Sequence, residues 1–358
     1  MPIVRLTGTV EGADDPNRSK RAKLLYRLFD GGWDIYNSNG DQTITLGNIQ
    51  KKIAECDGFV FTPGANMQDI FQAASIFVGF QTNDGELCGK PAVLINSDGS
   101  WDSFIALITH LNQMGTVHQH YDEFLTVTHS TKDVLKVLDD SYDGRTNCPA
   151  VEPDIMENKT PEDYSSVIRE GAAEPKYKVC VFCSASIKKP KYLDYGRYIG
   201  NAIADNGWGC ISGAGKTGIM GEVVQGCYEQ GGWSGGSNVP HIIALEGLPK
   251  GLTEFWPRGD IYTRMEIMID RSDSFIIMPG GLGTVQELLA LIILKQHKRD
   301  IMRDKEIVVV NVFDDDSGLN FWDPLLKLLD RNDFSNMYKV VETPQEAMSY
   351  LESCKKQC

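Results

Sequence analysis

Ser272-Asp273-Ser274-Phe275-Ile276-Ile277-Met278-Pro279-Gly280-Gly281-Leu282-Gly283-Thr284-Val285-Gln286-Glu287 is the stretch that decides the fold. Residues 274–278 form a short apolar run closed by Pro-Gly-Gly, the pattern of a buried strand. The next residues open a helix predicted over 284–297. A strand that passes through a glycine turn straight into a helix is the repeating unit of a parallel α/β sheet. Gly280 and Gly281 let the chain turn sharply and bring bare backbone near a ligand. Gly283 and Thr284 stand at the helix start, where free N–H groups and the dipole favour an anion. Thr284 can act as N-cap or give its hydroxyl to a phosphate oxygen. Glu287 falls three residues later, at capping-box spacing. The same placement, one turn into the helix, aims a carboxylate over a phosphate pocket, and spacing alone does not choose between the two roles.

Outward from this stretch the alternation continues. Strands are predicted at 178–184, 209–212, 241–245, 274–278 and 307–312, and helices at 192–206, 218–230, 264–271, 284–297 and 320–331. Buried runs alternating with helices imply a doubly wound parallel sheet covered on both faces, with ligands beyond the carboxyl ends of the strands.

The chain also contains this pattern twice. Gly31-Gly32-Trp33 is answered by Asn206-Gly207-Trp208, and Cys56-Asp57-Gly58-Phe59-Val60-Phe61-Thr62-Pro63-Gly64 by 272–280. Lys90-Pro91-Ala92-Val93-Leu94-Ile95-Asn96 is answered by Lys305-Glu306-Ile307-Val308-Val309-Val310-Asn311, and Trp101-Asp102 by Trp322-Asp323. The matched blocks keep their order. Their offset grows between the Gly-Trp and Pro-Gly turns, so the first copy lacks a segment matching residues 215–258. The expected organisation is two Rossmann-like doubly wound domains related by internal duplication, at 1–140 and 176–358. A Pro-containing linker or edge-hugging segment over 141–175 joins them.

A length of 358 residues suits two domains. No apolar run approaches a transmembrane helix, and the N-terminus reads as a strand, so a soluble cytoplasmic protein is expected. A formal charge of −14 argues against nucleic acid as a partner but not against a small anion held by a local loop. The nine cysteines lie mostly in apolar runs and suit buried reduced thiols. Cys180 and Cys183 have CxxC spacing, but in a predicted strand with no second pair, so core packing is the better reading.

Two further strand-to-helix loops belong on the same edge as the 279–287 turn. Ser212-Gly213-Ala214-Gly215-Lys216-Thr217-Gly218 invites a P-loop reading, but position 210, where that motif needs glycine, is Cys210. Ser184-Ala185-Ser186 can offer hydroxyls and amides. Arg264 lies on the preceding helix, whose periodicity puts Ile261, Met265 and Met268 inside. By itself Arg264 reads as a solvated surface cation.

Together these loops resemble the Lonely Guy family, often labelled "lysine decarboxylase", whose hallmark is PGGxGTxxE preceded by an Arg-bearing helix. Residues 279–287 match every fixed position. Val181-Phe182-Cys183-Ser184-Ala185-Ser186 resembles the family's opening strand and loop, and Ser212-Gly213-Ala214-Gly215 with Gly218-Ile219-Met220-Gly221 its GGG…GLMG stretch. The resemblance covers the second copy. It implies a nucleoside 5′-monophosphate phosphoribohydrolase, which cleaves the N-glycosidic bond to give free base and ribose 5-phosphate. It assigns the catalytic pair to Glu287 and Arg264. The ligand falls to Gly280, Gly281, Gly283 and Thr284, with Ser184, Ser186, Gly213, Gly215 and Met220 around it. No metal or cofactor is implied. A decarboxylase would need pyridoxal phosphate and a Schiff-base lysine, for which no supporting motif exists. Many members have Arg-Lys where this chain has Arg264-Met265, and Glu-Glu where it has Gln286-Glu287, which favours a plain purine nucleotide such as AMP over a cytokinin nucleotide.

In the first copy Gly281 becomes Ala65, Gly283 becomes Met67, Thr284 becomes Gln68, Glu287 becomes Phe71 and Arg264 becomes Asn48. That copy is expected to be inactive, and to pair with the second as an intrachain pseudo-dimer, alone or within a further homo-oligomer. The competing reading is a non-catalytic carrier or sensor of a nucleotide-like cofactor on the same fold.

Overall fold

Parallel strands need a crossover that returns the chain to the same edge, and a helix is the usual one. The computed structural model shows this in both halves of the chain. It describes residues 1–8, 14–38, 52–82, 84–117, 119–143, 164, 166, 168–170, 172–332 and 334–356. The chain divides into two compact units, Met1–Gln113 with Val117–Val151, and Met114–Thr116 with Glu152–Cys358. Most of the expected linker at 141–175 lies outside the described residues. Ile168, which is described, pairs in parallel with Leu252.

The first unit runs β1 (Ile3–Thr7), α1 (Arg18–Asp30), β2 (Asp34–Asn37), β3 (Gly58–Phe61), α2 (Met67–Gln81), β4 (Ala92–Ile95), α3 (Asp102–Gln113), β5 (Thr126–Thr128) and α4 (Val134–Asp143). Its five strands lie in the order β2-β1-β3-β4-β5, every neighbouring pair parallel. Val4, Leu6, Val60, Val93 and Ile95 on one sheet face bury against Leu24, Leu28 and Leu138. Each such side chain contributes roughly 1.5–3 kcal/mol of burial.

The second unit runs β6 (Lys178–Phe182), α5 (Pro190–Asp205), β7 (Gly209–Ser212), α6 (Gly218–Glu229), β8 (Ser234–Asn238), α7 (Pro240–Glu246), β9 (Glu254–Pro257), α8 (Ile261–Asp270) and β10 (Ser274–Ile277). It continues through α9 (Leu282–Gln296), β11 (Glu306–Val310), the hairpin β12 (Phe313–Asp314) and β13 (Leu319–Asn320), α10 (Asp323–Asp330), β14 (Lys339–Val341) and α11 (Pro344–Lys355). The sheet order is β14-β11-β10-β6-β7-β8-β9, again parallel throughout. The strand that starts each unit, β1 or β6, has the next strand on one side and β3 or β10 on the other. Among the described residues, β8 and β9 are the strands of this sheet without a counterpart in the first sheet, and they fall within 215–258, the segment that the first copy lacks in sequence.

Residues 241–245, predicted as a strand, are helical. Pro240 at the first helical position fixes φ for a helix start, and Gly247 with φ of 68° closes it. The strand is instead Ser234-Gly235-Gly236-Ser237-Asn238, which has no large side chain yet is buried throughout. Its bulk comes from neighbours: a Cβ on Gly235 would lie 2.5 Å from Trp256 and 2.7 Å from Trp233. Strands β9 and β14 were not predicted, and the helix predicted over 320–331 is trimmed to Asp323–Asp330 because Leu319–Asn320 closes the β12–β13 hairpin.

Cys180, Cys183, Cys210 and Cys227 are buried free thiols in and beside the sheet. Burial pushes the Cys180 and Cys183 thiols well above the ordinary range. Cys88 departs from the reduced-thiol expectation, since it is disulfide-bonded. Among the described residues, no helix is long and apolar enough to cross a membrane.

Candidate active site

In a doubly wound sheet the loops leaving two neighbouring strands part in opposite directions where the winding reverses, and a crevice opens between them. In the second unit that point lies between β6 and β10. The Met278 N–H donates to Phe182 O (2.9 Å) and the Ser184 N–H to Pro279 O (3.0 Å), so the two loops leave side by side. The start of α6 is tied to the same place. The Met220 N–H donates to Ser184 O at 3.1 Å, and the Thr217 hydroxyl to Ala185 O at 2.7 Å. Gly218 has φ of +62°, and a Cβ there would lie 2.5 Å from the Ala185 carbonyl carbon. Gly218→Ala is predicted to cost at least about 2 kcal/mol, combining left-handed strain with backbone overlap. Chemical denaturation checks this, and an unchanged midpoint would contradict it.

The Pro279–Gly283 turn delivers α9 two residues earlier than predicted. Its N-cap is Gly281, in an extended conformation, which has no side chain of its own to cap the first amides. Thr284 is therefore the third helical residue and Glu287 the sixth, so neither the N-cap role for Thr284 nor the capping-box role for Glu287 holds. Thr284 folds its hydroxyl back over Gly280, where a Cβ would collide with it. A Cβ on Gly283, by contrast, would meet nothing within 4 Å. Glycine inside a helix costs about 1 kcal/mol relative to alanine, and here no neighbouring atom requires it.

Around this turn the loops close in. The Ser184 hydroxyl accepts from the Ser186 and Ile187 amides at 3.0 and 3.1 Å and lies 3.0 Å from the Ser186 hydroxyl. Ser184 thus shapes the loop. After β7, Ala214 is held at φ of +55°, a conformation costly for a residue with a Cβ. The Gly215 N–H donates to Met220 Sδ at 3.0 Å. A Cβ on Gly213 would overlap the Arg264 guanidinium, and one on Gly215 the Glu246 carboxylate. Both glycines therefore make room for charged side chains.

Arg264 is buried, which overturns the solvated-cation reading. The Asp260 side chain caps α8 by accepting from the Tyr262 and Thr263 amides, both at 2.9 Å. Ile261, Met265 and Met268 face the core as expected. From that anchored helix Arg264 donates through Nε to Ser237 O (2.9 Å) and through Nη2 to Gly213 O (3.1 Å), bracing the ends of β7 and β8. Both contacts are to neutral carbonyls, so the guanidinium keeps its charge for the crevice.

Glu287 is only 7% exposed. Burial pushes its carboxyl up to about 8, Arg264 pulls it back, and Glu246 pushes it further up. A carboxylate held in such a place is costly to ionise and stands ready to meet positive charge. Glu246, at the end of α7, is also raised by burial and lowered by Arg264. The site is thus one buried arginine among two carboxylates, beside an uncapped helix N-terminus. The loops that carry Ser184, Ser186, Gly213, Gly215 and Met220 are tied to one another here, and Arg264 reaches the Gly213 loop. Sequence reading missed Ser237 and Glu246, because both depend on β8 and α7, where the apolar pattern misleads.

The matching turn of the first unit is closed. The Gly64 N–H donates to Asp98 Oδ2 at 3.0 Å and to Ser100 Oγ at 3.1 Å. Helix α2 is capped by Asn66, whose side chain accepts from the Asp69 amide while Asp69 returns a bond to Asn66. The chain's own side chains fill these amides. Asn48, aligned with Arg264, lies outside the described residues.

A family model described as "Possible lysine decarboxylase" matches residues 220–355. The cytokinin riboside 5′-monophosphate phosphoribohydrolase of Mycobacterium marinum is 31% identical over 154 residues, 41% of this chain and 77% of that protein. Its namesake from Mycobacterium tuberculosis is 33% identical over 149 residues, 41% of this chain and 76% of that protein. Among solved structures, the molybdenum cofactor binding protein from Rippkaea orientalis is 22% identical, with 51% of this chain and 98% of that chain covered at a TM-score of 0.39. With its C-terminal half aligned to these phosphoribohydrolases and its PGGxGTxxE segment forming the turn from β10 into α9, the chain belongs to the Lonely Guy family of cytokinin riboside 5′-monophosphate phosphoribohydrolases.

Proposed function

We propose that this protein is a nucleoside 5′-monophosphate phosphoribohydrolase that converts a purine nucleotide, AMP or a cytokinin-type relative, to free base and ribose 5-phosphate. The observation that carries the reading is a buried glutamate with a raised pKa, beside Arg264 and one turn inside a helix whose N-cap, Gly281, has no side chain. The phosphate takes those amides, together with the turn of Gly280, Gly281 and Gly283 and the Thr284 hydroxyl. This holds C1′ of the ribose near Glu287. Breaking the C1′–N9 bond sends its electron pair to the base and leaves positive charge on C1′ and the ring oxygen. Ionised Glu287 stabilises that charge and accepts the proton of the water that attacks C1′. The Arg264 guanidinium offsets the negative charge on the departing purine. Ser184, Ser186 and Met220 line the loops around the sugar and base, and no metal enters these steps.

The first unit, with its Gly64 turn filled by Asp98, is on this reading a duplicated copy without activity. The protein acts on a small soluble ligand in the cytoplasm, and its net charge of −14 keeps nucleic acid from the list of partners.

The test is to incubate the full chain with AMP, GMP, CMP and isopentenyladenine ribotide and follow free base by chromatography. Release from a purine monophosphate is the expected outcome. Tight binding without base release from any of them would point instead to a carrier.

A further inference from the structure

Trp322 is shut away from solvent, and its indole N–H has no hydrogen-bond partner among the described residues. A buried donor left unpaired raises the free energy of the folded chain. Its counterpart in the first copy, Trp101, is equally buried but donates its indole N–H to Thr62 O at 2.9 Å. The two tryptophans are framed alike. The Trp101 and Trp322 amides donate to the side-chain oxygens of Asn96 (3.2 Å) and Asn311 (2.7 Å). Those asparagines donate in turn to Asp102 (2.6 Å) and Asp323 (2.9 Å). The strands beside them also end alike, with the Thr62 N–H on Thr7 O (2.7 Å) and the Met278 N–H on Phe182 O (2.9 Å). The units part at the next carbonyl: Thr62 O takes the indole N–H, and Met278 O does not.

What the first turn has besides is a carboxylate, since the Gly64 N–H donates to Asp98 at 3.0 Å. In the second unit the stretch from the asparagine to the tryptophan is longer, eleven positions against five, and forms the β12–β13 hairpin. Its Asp314 is engaged elsewhere, accepting from Lys189 Nζ and from the Tyr192 hydroxyl, both at 2.8 Å. A carboxylate on the turn and a bond from the indole thus occur together in the first unit, and the described residues supply neither in the second. Proline gives the physical link. Its ring fixes φ at Pro63 and Pro279, so a single free torsion relates the carbonyl before each proline to the N–H after it. Aiming the Gly280 N–H at an anion therefore constrains where the Met278 carbonyl points.

We propose that Trp322 is a positioning residue of the phosphate turn: when the Gly280 amide takes a phosphate oxygen, as the Gly64 amide takes Asp98, the Met278 carbonyl accepts the Trp322 indole N–H. The step pairs a buried donor, so it adds to the affinity for phosphate and holds the turn in one arrangement. This rests on the proposed reading of the turn as a phosphate seat, and not on the chemistry at C1′.

The experiment follows the indole N–H resonances of the full chain, isotope-labelled at its six tryptophans, through titrations with ribose 5-phosphate and with inorganic phosphate. Trp322→Phe identifies the Trp322 resonance and, by calorimetry, its share of the affinity. The expected result is a downfield shift of the Trp322 N–H as the site saturates, with ribose 5-phosphate bound about tenfold more weakly by Trp322→Phe. A Trp322 resonance that stays in place at saturation overturns the proposal. Undiminished affinity in the variant does so too, since a merely structural tryptophan changes stability without following the ligand. Should the variant not fold, sequential assignment of the wild type leaves the shift to decide. Base release from AMP with an unmoved Trp322 leaves the hydrolase standing and removes Trp322 from the turn. A shift with ribose 5-phosphate, without base release from any nucleotide, upholds Trp322 while the hydrolase reading falls. Binding of neither phosphate nor ribose 5-phosphate overturns the phosphate seat and the role of Trp322 together.

Discussion

Glu287→Gln is expected to lower base release from a purine monophosphate by on the order of 10³-fold while making the free protein more stable above neutral pH. Gln keeps the shape and polarity of the side chain but cannot offset charge on the ribosyl centre or take a proton from water. The stability effect follows from the same burial. The Glu287 carboxyl, pushed up to about 8 by desolvation, holds its proton more tightly in the native state than in the unfolded chain. Between the ordinary carboxylate range and about 8, the native state therefore binds more protons. The linkage relation then makes stability fall as pH rises through that window. Gln carries no such cost, so the variant gains little near pH 5 and on the order of a few kcal/mol near pH 9. Thermal denaturation at the two pH values reads this directly, with equal shifts as the contradicting result. The same group sets the acid limb of kcat/KM, expected near 8 with wild type and absent from the residual rate of the variant.

The second large effect is at Gly283. Gly283→Ala is expected to stabilise α9 by about 0.5–1 kcal/mol, since a Cβ there meets nothing within 4 Å and alanine is the better helix former. It is also expected to weaken binding of AMP and ribose 5-phosphate by about tenfold or more, equivalent to about 1.4 kcal/mol. On the proposed reading the methyl group would stand where the phosphate approaches the helix start. Opposite signs for stability and binding separate a glycine kept for the ligand from one kept for the fold. Gly218 supplies the contrast, since its substitution damages the fold itself. Isothermal titration with ribose 5-phosphate, paired with denaturation, measures both effects, and unchanged affinity would remove Gly283 from the phosphate site.

The parts legible in the sequence were those where local pattern and tertiary role agree. Phe275, Ile276 and Ile277 are apolar because β10 is central and buried on both faces, and Pro279-Gly280-Gly281 ends the strand where the sheet edge requires it. Strand β8 was illegible because its core is filled from outside, by Trp233 and Trp256 packing over glycine. The apolar run of α7 then looked like the missing strand, since the four apolar residues 242–245 carry too little periodicity to separate the two. Thr284 and Glu287 were legible as a pair but not in their register. Only the helix start at Leu282, with Gly281 as an uncapped N-cap, separates a capping box from a carboxylate lodged in a crevice. Helix periodicity by itself left Arg264 on the surface, and the family resemblance alone put it in the site, because its carbonyl partners Gly213 and Ser237 lie 51 and 27 residues away. Glu246 had no local signature, and its significance comes entirely from its surroundings.

The central claim is that a phosphate-anchored nucleotide is cleaved at C1′ by Glu287. The most direct measurement follows adenine and ribose 5-phosphate formed by the wild-type chain from AMP, beside adenosine and beside the Glu287→Gln variant. The prediction is equimolar adenine and ribose 5-phosphate from AMP, little adenine from adenosine, which lacks the anchor, and next to none from the variant. Adenine release that persists in Glu287→Gln, or that proceeds as fast from adenosine as from AMP, would contradict the account.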